Sequence, residues 1–295
     1  MSVSIIIRTL NEERYLRELL LSIKNQDFQD EVEVVVVDSG SIDSTIEIAK
    51  NFQCKITYIK KTDFTFGRSL NVGCRFSSGE ILVFISGHCV PTDDKWLINL
   101  TKPIISGKAA YVYGRQIGRD STKFSENNLF EKYYPNHKNH QNEIFFCNNA
   151  NSAIKKDIWE KYLFDENLTG LEDIDLGKRI FDDGEKISYA FRANVYHIHN
   201  ESHTQTRNRY EREAIALKSI IPGIKMTFFD FCRFFFAAIF LDLSKAIERG
   251  VFIKEFFSIF LFRFNQYLGS YRGTNSNNSI EKLSEDSKEK YFYPK

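Results

Sequence analysis

The chain has 295 residues and 42% of them are hydrophobic, which excludes a disordered protein and allows a large core. Lys and Arg number 40 against 39 Asp and Glu, so no global positive field draws the chain to nucleic acid, and any anion site must be local. The five cysteines are widely spaced and form no C-x-x-C pair, which argues against a disulfide framework or a zinc knuckle and fits a reducing cytoplasm.

The first 86 residues alternate between strand-like and helix-like segments. VSIIIRTL and EVEVVVVDSG are short β-branched runs, typical of strands that are buried on both faces of a parallel sheet. The N-terminus is therefore interpreted as a first strand and not as an export signal. Between these runs, NEERYLRELLLSIKNQ repeats apolar residues along one helical face. The pattern continues with a helix in SIDSTIEIAKNF, capped by Ser41 or Asp43, a strand in KITYIKK, a helix in SLNVGCRFSS and a strand in EILVFIS. This alternation predicts an α/β fold with an open, doubly wound sheet.

Polar residues follow three of the predicted strands. They are Thr9 to Glu12, Asp38 to Ser41 and Ser86 to His88. Sheets of this class bind ligands beyond the carboxyl ends of their strands, so these segments are expected to meet in one crevice. An Asp directly after a buried strand can accept hydrogen bonds from ribose hydroxyls or a base, and it can equally cap its own turn. For Asp38 both interpretations stay open.

The second half of the chain changes character after about residue 115. YYPNHKNHQNE predicts a loop, and IFFCNNANSAIKKDIW and GLEDIDLGKRIFDDG predict a second wall of the crevice. From Met226 to Phe264 the sequence carries nearly half of its 27 phenylalanines, in two helical runs that charges interrupt. The predicted regions are an α/β domain at 1–222 with halves 1–115 and 116–222, an aromatic-rich helical region at 223–273 and a polar, flexible tail at 274–295, where YFYP is expected to dock.

Five segments, in this order along the chain, resemble the pattern of glycosyltransferase family 2: RTLNEE, VVVVDSGSIDST, FTFGRSLNVGCRFSSGEILVFISGHCVP, GLEDIDLGKRI and VYHIHN. The resemblance covers roughly residues 2 to 215, and FGRSLNVG is similar to the rhamnosyltransferase-like branch. It implies a GT-A type α/β domain with a mixed sheet and a C-terminal helical appendage. It also implies inverting, single-displacement transfer of a hexose-type sugar from a UDP-sugar or dTDP-rhamnose. The rival fold is a Rossmann dehydrogenase, but no G-x-G-x-x-G follows the first strand.

The resemblance also implies where the nucleotide-sugar donor binds. Asp38 would hold the base or ribose, Ser39 would let the backbone approach it, and Arg68 could pair with the diphosphate in a forked geometry. Other residues implied to contact the donor are Thr9, Asn11, Glu12, Asn71 and Ser86. A solvated loop position is the alternative for Arg68.

The metal motif of the family is altered. Where members carry Asp-x-Asp, this chain has Ser86, Gly87 and His88. Mg²⁺ prefers oxygen ligands, whereas an imidazole suits Mn²⁺ or a softer metal, so dependence on Mg²⁺ or Mn²⁺ is in doubt. Three accounts stay open: His88 is a metal ligand, it contacts the diphosphate directly, or the site is inactive. The resemblance implies that His197 completes the metal or diphosphate site, and His199 projects to the same face of an extended strand.

The remaining implied residues are a base and a set of arginines. Asp173 is the implied catalytic base, which would take the proton of an acceptor hydroxyl, and Glu172 lies beside it at the start of a helix. A capping carboxylate is the alternative for Asp173. Arg207 and Arg209 follow the histidines, where family members have a mobile loop that closes over the donor; the alternative is a solvated helix face.

The expected acceptor is a hydroxyl of a bacterial-type surface polysaccharide, such as capsule or lipopolysaccharide, or of a lipid-linked glycan. The expected location is cytoplasmic, peripheral on the inner face of the cytoplasmic membrane. Residues 226–272 are expected to contact that membrane or a second copy of the chain, unless they pack fully on the catalytic domain. The alternative function is a non-catalytic relative that binds a nucleotide or a glycan.

Overall fold

The computed structural model describes residues 1–137, 145–276 and 290–292. Its strands are β1 Val3–Thr9, β2 Val32–Asp38, β3 Lys55–Tyr58, β4 Ile81–Ser86, β5 Cys89–Pro91, β6 Tyr111–Ile117, β7 Asn151–Lys155 and β8 Ile187–His197. Its helices are α1 Glu13–Lys24, α2 Thr45–Asn51, α3 Phe66–Phe76, α4 Trp96–Ile105, α5 Phe124–Tyr133, α6 Lys156–Tyr162, α7 Glu172–Asp182, α8 His203–Ile220, α9 Phe228–Glu248 and α10 Phe252–Asn275. Most of the predicted loop YYPNHKNHQNE and most of the predicted tail lie outside the described residues.

Among the described residues, the sheet has eight strands in the order β3-β2-β1-β4-β7-β6-β8-β5. β3, β2, β1 and β4 run parallel, and β6 runs parallel to β8. β7 runs antiparallel to β4 and β6, and β5 runs antiparallel to β8. The α/β fold with a mixed sheet is thereby confirmed. The predicted doubly wound, parallel arrangement holds for β1 to β4, whereas β7 and β5 pair with their neighbours in antiparallel fashion.

The chain folds as two compact units. The first comprises residues 1–119, 133–166 and 172–198, and the second comprises 120–132, 167–171 and the described residues from 199 onward. The first unit contains the sheet. Its core is built from the β-branched strand residues and the apolar faces of α1 and α4, for example Ile5, Leu16, Val36, Val83 and Trp96. The uniform burial of these strands is what the apolar runs of the sequence predicted.

The second unit is helical, and α8 belongs to it. Gly269 and Gly273 let α10 approach α8, since a Cβ atom at either glycine would lie 2.3 Å from a carbonyl oxygen of α8, that of Arg207 or Glu211. The domain limits 1–222, 223–273 and 274–295 stay predictions; the second compact unit takes in α8 and two shorter segments from earlier in the chain. Of the YFYP segment that is expected to dock, the structure describes Tyr291 and Phe292; both are buried, and the Tyr291 hydroxyl donates to Glu211 at 3.0 Å.

The two aromatic-rich runs form α9 and α10, as predicted. They pack on each other through rings such as Phe235 against Phe260, with centroids 5.5 Å apart. In the part of the chain that the structure describes, no helix has the length and apolar character needed to cross a membrane.

Candidate active site

Three strand ends lie side by side at one edge of the sheet. Thr9 pairs with Asp38 across β1 and β2, and Arg8 pairs with Ser86 across β1 and β4. The juxtaposition follows from the parallel register, which aligns the carboxyl ends of β1, β2 and β4. Polar residues that are distant in sequence therefore share one crevice of the first unit.

Asp38 is buried, and its turn holds the carboxylate. Oδ1 accepts from the backbone N–H groups of Gly40 and Ser41 at 2.9 Å each, and Oδ2 accepts from the hydroxyls of Thr9 at 2.9 Å and Ser41 at 2.5 Å. Gly40 has φ 103°, a conformation that glycine adopts without strain, and no atom lies near its missing side chain. The turn-capping interpretation of Asp38 is thus realised, and it presents the carboxylate in a fixed orientation.

The loop after β1 is tied to the loop after β2. Asn11 donates its backbone N–H to the Ser41 hydroxyl at 2.8 Å and accepts from the N–H of Ile42 at 2.9 Å. The Ser39 hydroxyl donates to the carbonyl of Thr9 at 3.1 Å. Asn11 has φ 54°, which asparagine tolerates better than most residues. Thr9, Asn11, Asp38 and Ser39 are therefore brought together, as the sequence predicted.

Helix α2 begins at Thr45, and its start differs in detail from the prediction. Ser41 is engaged with Asp38, so it does not cap the helix. Asp43 accepts from the backbone N–H of Thr45 at 3.0 Å and from that of Glu13 at 3.1 Å. The carboxylate of Asp43 thus joins the first turn of α2 to α1.

His88 and His197 form a stacked pair at the end of β4 and β8. Their ring centroids lie 5.2 Å apart and their Nε2 atoms 3.3 Å apart. Nδ1 of His88 lies 3.1 Å from Oε1 of Glu12, and Nδ1 of His197 lies 2.6 Å from Oε1 of Gln116. Gly87 makes room for this arrangement, because a Cβ atom there would lie 2.8 Å from Cγ of Glu12.

A chain of hydrogen bonds assigns the tautomer of His197. The backbone N–H of Ala150 donates to Oδ1 of Asn148, which also accepts from Nε2 of Gln116 at 2.9 Å. Oε1 of Gln116 is therefore an acceptor, and Nδ1 of His197 is the donor. The Glu12 carboxylate requires a donor at Nδ1 of His88 in the same way. Both Nε2 atoms then carry lone pairs, and they lie 3.3 Å apart.

Such a pair fits one cation or one shared proton. Two nitrogen ligands on a tetrahedral metal, at about 2.0–2.1 Å from it, lie roughly 3.3 Å apart. The hydrogen bonds from Nδ1 to Glu12 and Gln116 are the kind of outer-shell contact that orients a metal-binding imidazole. His88 and His197 would hold such an ion. Ser86 is the last residue of β4 beside them.

Asp173 and Glu172 begin α7 and are both buried. Asp173 Oδ2 accepts from the backbone N–H of Asn149 at 2.9 Å, and Oδ1 accepts from that of Ile174 at 2.8 Å. Burial, together with the neighbouring carboxylate of Glu172, raises the pKa of Asp173 to about 7. Arg8 opposes this shift and pairs with Glu172 at 3.2 Å. A carboxylate with a pKa near neutrality is suited to accept a proton and release it again.

Asn149 supports Asp173 from the segment before β7. Its Oδ1 accepts from the hydroxyls of Tyr111 at 2.6 Å and Ser152 at 2.8 Å, and only 3% of the residue is exposed. Its Nδ2 is buried and has no hydrogen-bond partner within residues 1–137, 145–276 and 290–292. The hydrogen bonds from Tyr111 and Ser152 hold the side chain of Asn149, and this fixes the backbone N–H of Asn149 that donates to Asp173.

Arg68 and Asn71 are engaged with the loop at residues 163–166. Arg68 Nε pairs with Glu166 at 2.8 Å, and its Nη1 donates to the carbonyl of Asp63 at 2.9 Å. Asn71 is buried; it donates to Glu166 and the Phe164 carbonyl and accepts from Trp159 and the Phe164 N–H. In the structure both side chains are hydrogen-bonded to this loop. Their contact with a nucleotide-sugar donor remains a prediction.

Arg207 and Arg209 lie in the second unit, on α8. The expected mobile loop is helical here, because Ser202 and Gln205 form a capping box that starts α8 at His203. Arg209 pairs with Glu126 at 2.9 Å and with Glu201 at 3.0 Å, and His199 also contacts Glu126, at 2.7 Å. Nε of Arg207 is buried without a hydrogen-bond partner among the described residues. Donor contacts by these arginines remain predictions.

Three residues of the first unit were missed by sequence reasoning. Arg8, Gln116 and Asn149 position Glu172, His197 and Asp173, respectively. Arg8 is a charged residue inside the apolar run VSIIIRTL, and this feature of the sequence could have indicated a buried ion pair. Gln116 and Asn149 had no comparable signal.

The glycosyl transferase family 2 profile matches residues 4–163 of the chain. The chain belongs to this family. The match includes the three strand ends of the crevice and His88, so the altered Ser-Gly-His motif lies within a family 2 glycosyltransferase.

Relatives and solved structures agree with this assignment. The glycosyltransferase is 24% identical over 222 residues to the O-antigen chain rhamnosyltransferase RfbN of Salmonella typhimurium, covering 71% of this chain and 70% of the relative. It is 30% identical over 183 residues to the GalNAc(5)-diNAcBac-PP-undecaprenol beta-1,3-glucosyltransferase of Campylobacter jejuni, covering 58% of this chain and 57% of that protein. The mannosyltransferase PcManGT of Pyrobaculum calidifontis, solved with GDP-Man and Mn²⁺, superposes with a TM-score of 0.66 at 17% identity, covering 94% of this chain and 88% of that one. This last likeness establishes the GT-A fold.

Proposed function

We propose that the protein is an inverting glycosyltransferase that moves a sugar from a nucleotide diphosphate to a hydroxyl of a bacterial-type surface polysaccharide or lipid-linked glycan. One observation carries the proposal. Asp173 is a buried carboxylate with a pKa of about 7, at the start of a helix in the unit that contains the crevice of β1, β2 and β4.

In the proposed reaction the acceptor hydroxyl attacks the anomeric carbon in a single displacement. Its proton passes to Asp173, a new carbon–oxygen bond forms, and the bond from the anomeric carbon to the diphosphate breaks with its electron pair on the leaving oxygen. The pairing of Arg8 with Glu172 holds a second carboxylate beside the base. That negative charge makes Asp173 more basic than an isolated Asp.

The donor is proposed to bind at the strand ends. Asp38, oriented by Thr9 and Ser41, would accept from the base or ribose, while Asn11 and Ser39 shape the same loops. The donor is a UDP-sugar or dTDP-rhamnose, and the similarity to a rhamnosyltransferase supports the latter. Other proposed donor contacts are Arg68, Asn71, Arg207 and Arg209. The contacts of Arg68 and Asn71 with Glu166, and of Arg209 with Glu126, would have to rearrange for this.

The His88–His197 pair is proposed to present positive charge to the diphosphate. Mn²⁺ or a softer divalent metal would supply that charge when bound by the two Nε2 atoms, and a shared proton would supply it otherwise. The Mn²⁺ in the PcManGT complex supports the first source for this fold. The dependence on Mg²⁺ is proposed to be weak, because the pair offers nitrogen and not oxygen ligands.

The acceptor is proposed to be carried on a membrane lipid. The similarity to an enzyme whose name specifies a PP-undecaprenol substrate supports this class of acceptor. The protein would then act at the cytoplasmic face of the membrane as a peripheral protein, through residues 226–272. A non-catalytic protein that binds a nucleotide or glycan is the second candidate, favoured by the loss of both Asp-x-Asp carboxylates.

A donor screen followed by product analysis tests the proposal. Thermal shift with a panel of nucleotide sugars should identify one donor, and Asp38→Asn should weaken the shift. The donor is then incubated with lipid-linked glycan, and the anomeric configuration of the product is read by NMR. Inversion supports the proposal and retention contradicts it. A thermal shift without any transfer or donor hydrolysis would favour the non-catalytic candidate.

A further inference from the structure

Helix α9 exposes a row of large apolar side chains. Phe229, Phe236, Phe240 and Ile247 are 74%, 63%, 71% and 63% exposed. Their spacing of seven, four and seven residues returns to the same side of a helix with 3.6 residues per turn. Arg233 lies in the same row. Exposed apolar residues thus line one side of α9, and Phe228, Phe234 and Leu241 are exposed on its other sides.

Helix α10 carries a matching row, made of Ile253, Phe257, Phe260 and Phe264, all of them exposed. Phe235 of α9 joins the two rows, since its ring lies 5.1 Å from that of Phe236 and 5.5 Å from that of Phe260. The eight exposed residues of the two rows are called the aromatic face below. Patches of this kind on a folded protein mark an interaction site more often than isolated exposed residues do.

The aromatic face cannot turn inward, because the opposite sides of both helices are already packed. Asp242 of α9 and Arg263 of α10 are buried and form a two-pronged ion pair at 2.7 and 2.9 Å. Asn128 of α5 donates to Asp242 at 2.9 Å. Rotating either helix would expose apolar core residues and separate this buried pair.

The charges around the aromatic face are mainly basic. Arg233, Lys254 and Arg272 are exposed, and within the described chain neither Arg233 nor Arg272 has a carboxylate at ion-pair distance. Three acidic residues of these helices are engaged: Asp230 exchanges hydrogen bonds with Thr227 at the start of α9, Asp242 is buried, and Glu255 lies 3.8 Å from Lys254. Glu248, which is exposed, lies at the end of α9. Cations beside exposed phenylalanines complement an anionic lipid surface.

We propose that the aromatic face docks on an anionic membrane, with both helices lying in the interface. The phenylalanines would enter the boundary between headgroups and acyl chains, while Arg233, Lys254 and Arg272 meet lipid phosphates. A second copy fits less well, because a two-fold interface repeats the same cations on both sides and offers few exposed carboxylates to pair with them. The inference rests on the proposed use of a lipid-linked acceptor, for which it names the surface.

The test is flotation of the full chain with vesicles of phosphatidylcholine alone or mixed with phosphatidylglycerol. The wild type should float with the mixed vesicles and much less with phosphatidylcholine. Phe236→Ser combined with Phe240→Ser should reduce partitioning at least about tenfold, because two large apolar side chains are lost from the interface. Arg233→Gln combined with Lys254→Gln should reduce the preference for phosphatidylglycerol.

The matched control is Phe76→Ser, which removes a 48% exposed phenylalanine from α3 in the first unit and should float like the wild type. Unchanged circular dichroism and melting of each variant verify folding. Absence of wild-type flotation overturns the inference, as does equal flotation of the Phe236/Phe240 variant. A lipid-free dimer that this variant dissociates, without vesicle binding by the wild type, would assign the face to a second copy.

Flotation also separates this inference from the proposed function. Asp173→Asn should float like the wild type, because it leaves the aromatic face unchanged. Flotation of a wild type that transfers no sugar contradicts the proposed function alone, and transfer without flotation contradicts the docking surface alone.

Discussion

His88 and His197 point their Nε2 atoms at each other across 3.3 Å, while Glu12 and Gln116 hold the Nδ1 atoms. Ser86 and His88 stand at the two carboxylate positions of the expected metal motif, and the imidazole of His197 lies beside that of His88. Its hydrogen bonds leave both rings in the tautomer that a bound cation requires. The Ser-Gly-His sequence is therefore compatible with a working site.

His88→Ala should abolish donor turnover and leave nucleotide binding largely intact, because Asp38 and its turn do not depend on His88. Turnover and nucleotide affinity are measured separately, by diphosphate release and by calorimetry. His137→Ala, which removes an exposed histidine of the first unit, is the control. Full activity of His88→Ala with strict Mg²⁺ dependence would refute the role of the pair.

Gln116→Leu should lower turnover or metal affinity by roughly 10–100-fold, the usual cost of removing the partner of a ligand imidazole. Gln116→Glu should restore part of the loss, since a carboxylate also accepts from Nδ1 of His197 but cannot donate to Asn148. A metal titration monitored by activity and by melting temperature distinguishes this from a packing defect. If the Leu and Glu variants behave alike, Gln116 is not a positioning residue.

Arg8 and Glu172 should shift the pH profile of the enzyme in opposite directions. Activity rises with pH as Asp173 loses its proton, so the acidic limb of kcat/KM reports its pKa, near 7. Arg8→Gln removes a positive charge and should move the limb to higher pH. Glu172→Gln removes a negative charge and should move it to lower pH. The control is Asp182→Asn, at the exposed end of α7, which should leave the acidic limb in place. Shifts of the Arg8 and Glu172 variants in the same direction would contradict the assignment of this limb to Asp173.

Glu126 should make the second unit sensitive to acid. Burial alone would raise its pKa, but His199 and Arg209 outweigh burial and hold it at about 2, below the usual 4.5. A depressed pKa contributes stability above about pH 4.5, and this stability is lost as the pH falls toward 2. Glu126→Gln should therefore cost about 3 kcal/mol at pH 7 and progressively less below pH 4.5. Urea unfolding at pH 7 and pH 3 measures both values, and an equal cost at both would contradict the pairing.

Much of the fold could be predicted because local patterns determine it. The apolar runs that end at Thr9, Asp38 and Ser86 predicted β1, β2 and β4. These strands pair in parallel, so their carboxyl ends lie side by side. The insertion of β7 between β4 and β6 could not be predicted, since strand order is set by pairing between distant segments.

The contacts that define the site were harder to predict. Glu12 and His88 are 76 residues apart, Gln116 and His197 are 81 apart, and Arg8 and Glu172 are 164 apart. Such pairs depend on strand register and loop geometry, which leave no periodic trace in the sequence. A motif was enough to propose individual residues such as Asp173. It did not reveal the partners that set the pKa and the orientation of this carboxylate, such as Arg8 and Asn149.

The central claim is that Asp173 is the catalytic base, and donor turnover by Asp173→Asn tests it most directly. Because burial and Glu172 raise the pKa of Asp173, its ionisation costs stability as the pH rises from about 4 to 7, and the neutral Asn should spare the fold that cost. The variant should therefore be at least as stable as the wild type at pH 8, bind the nucleotide normally, and lose transfer by at least about 100-fold. A folded, nucleotide-binding Asp173→Asn protein that transfers sugar at the wild-type rate would contradict the account.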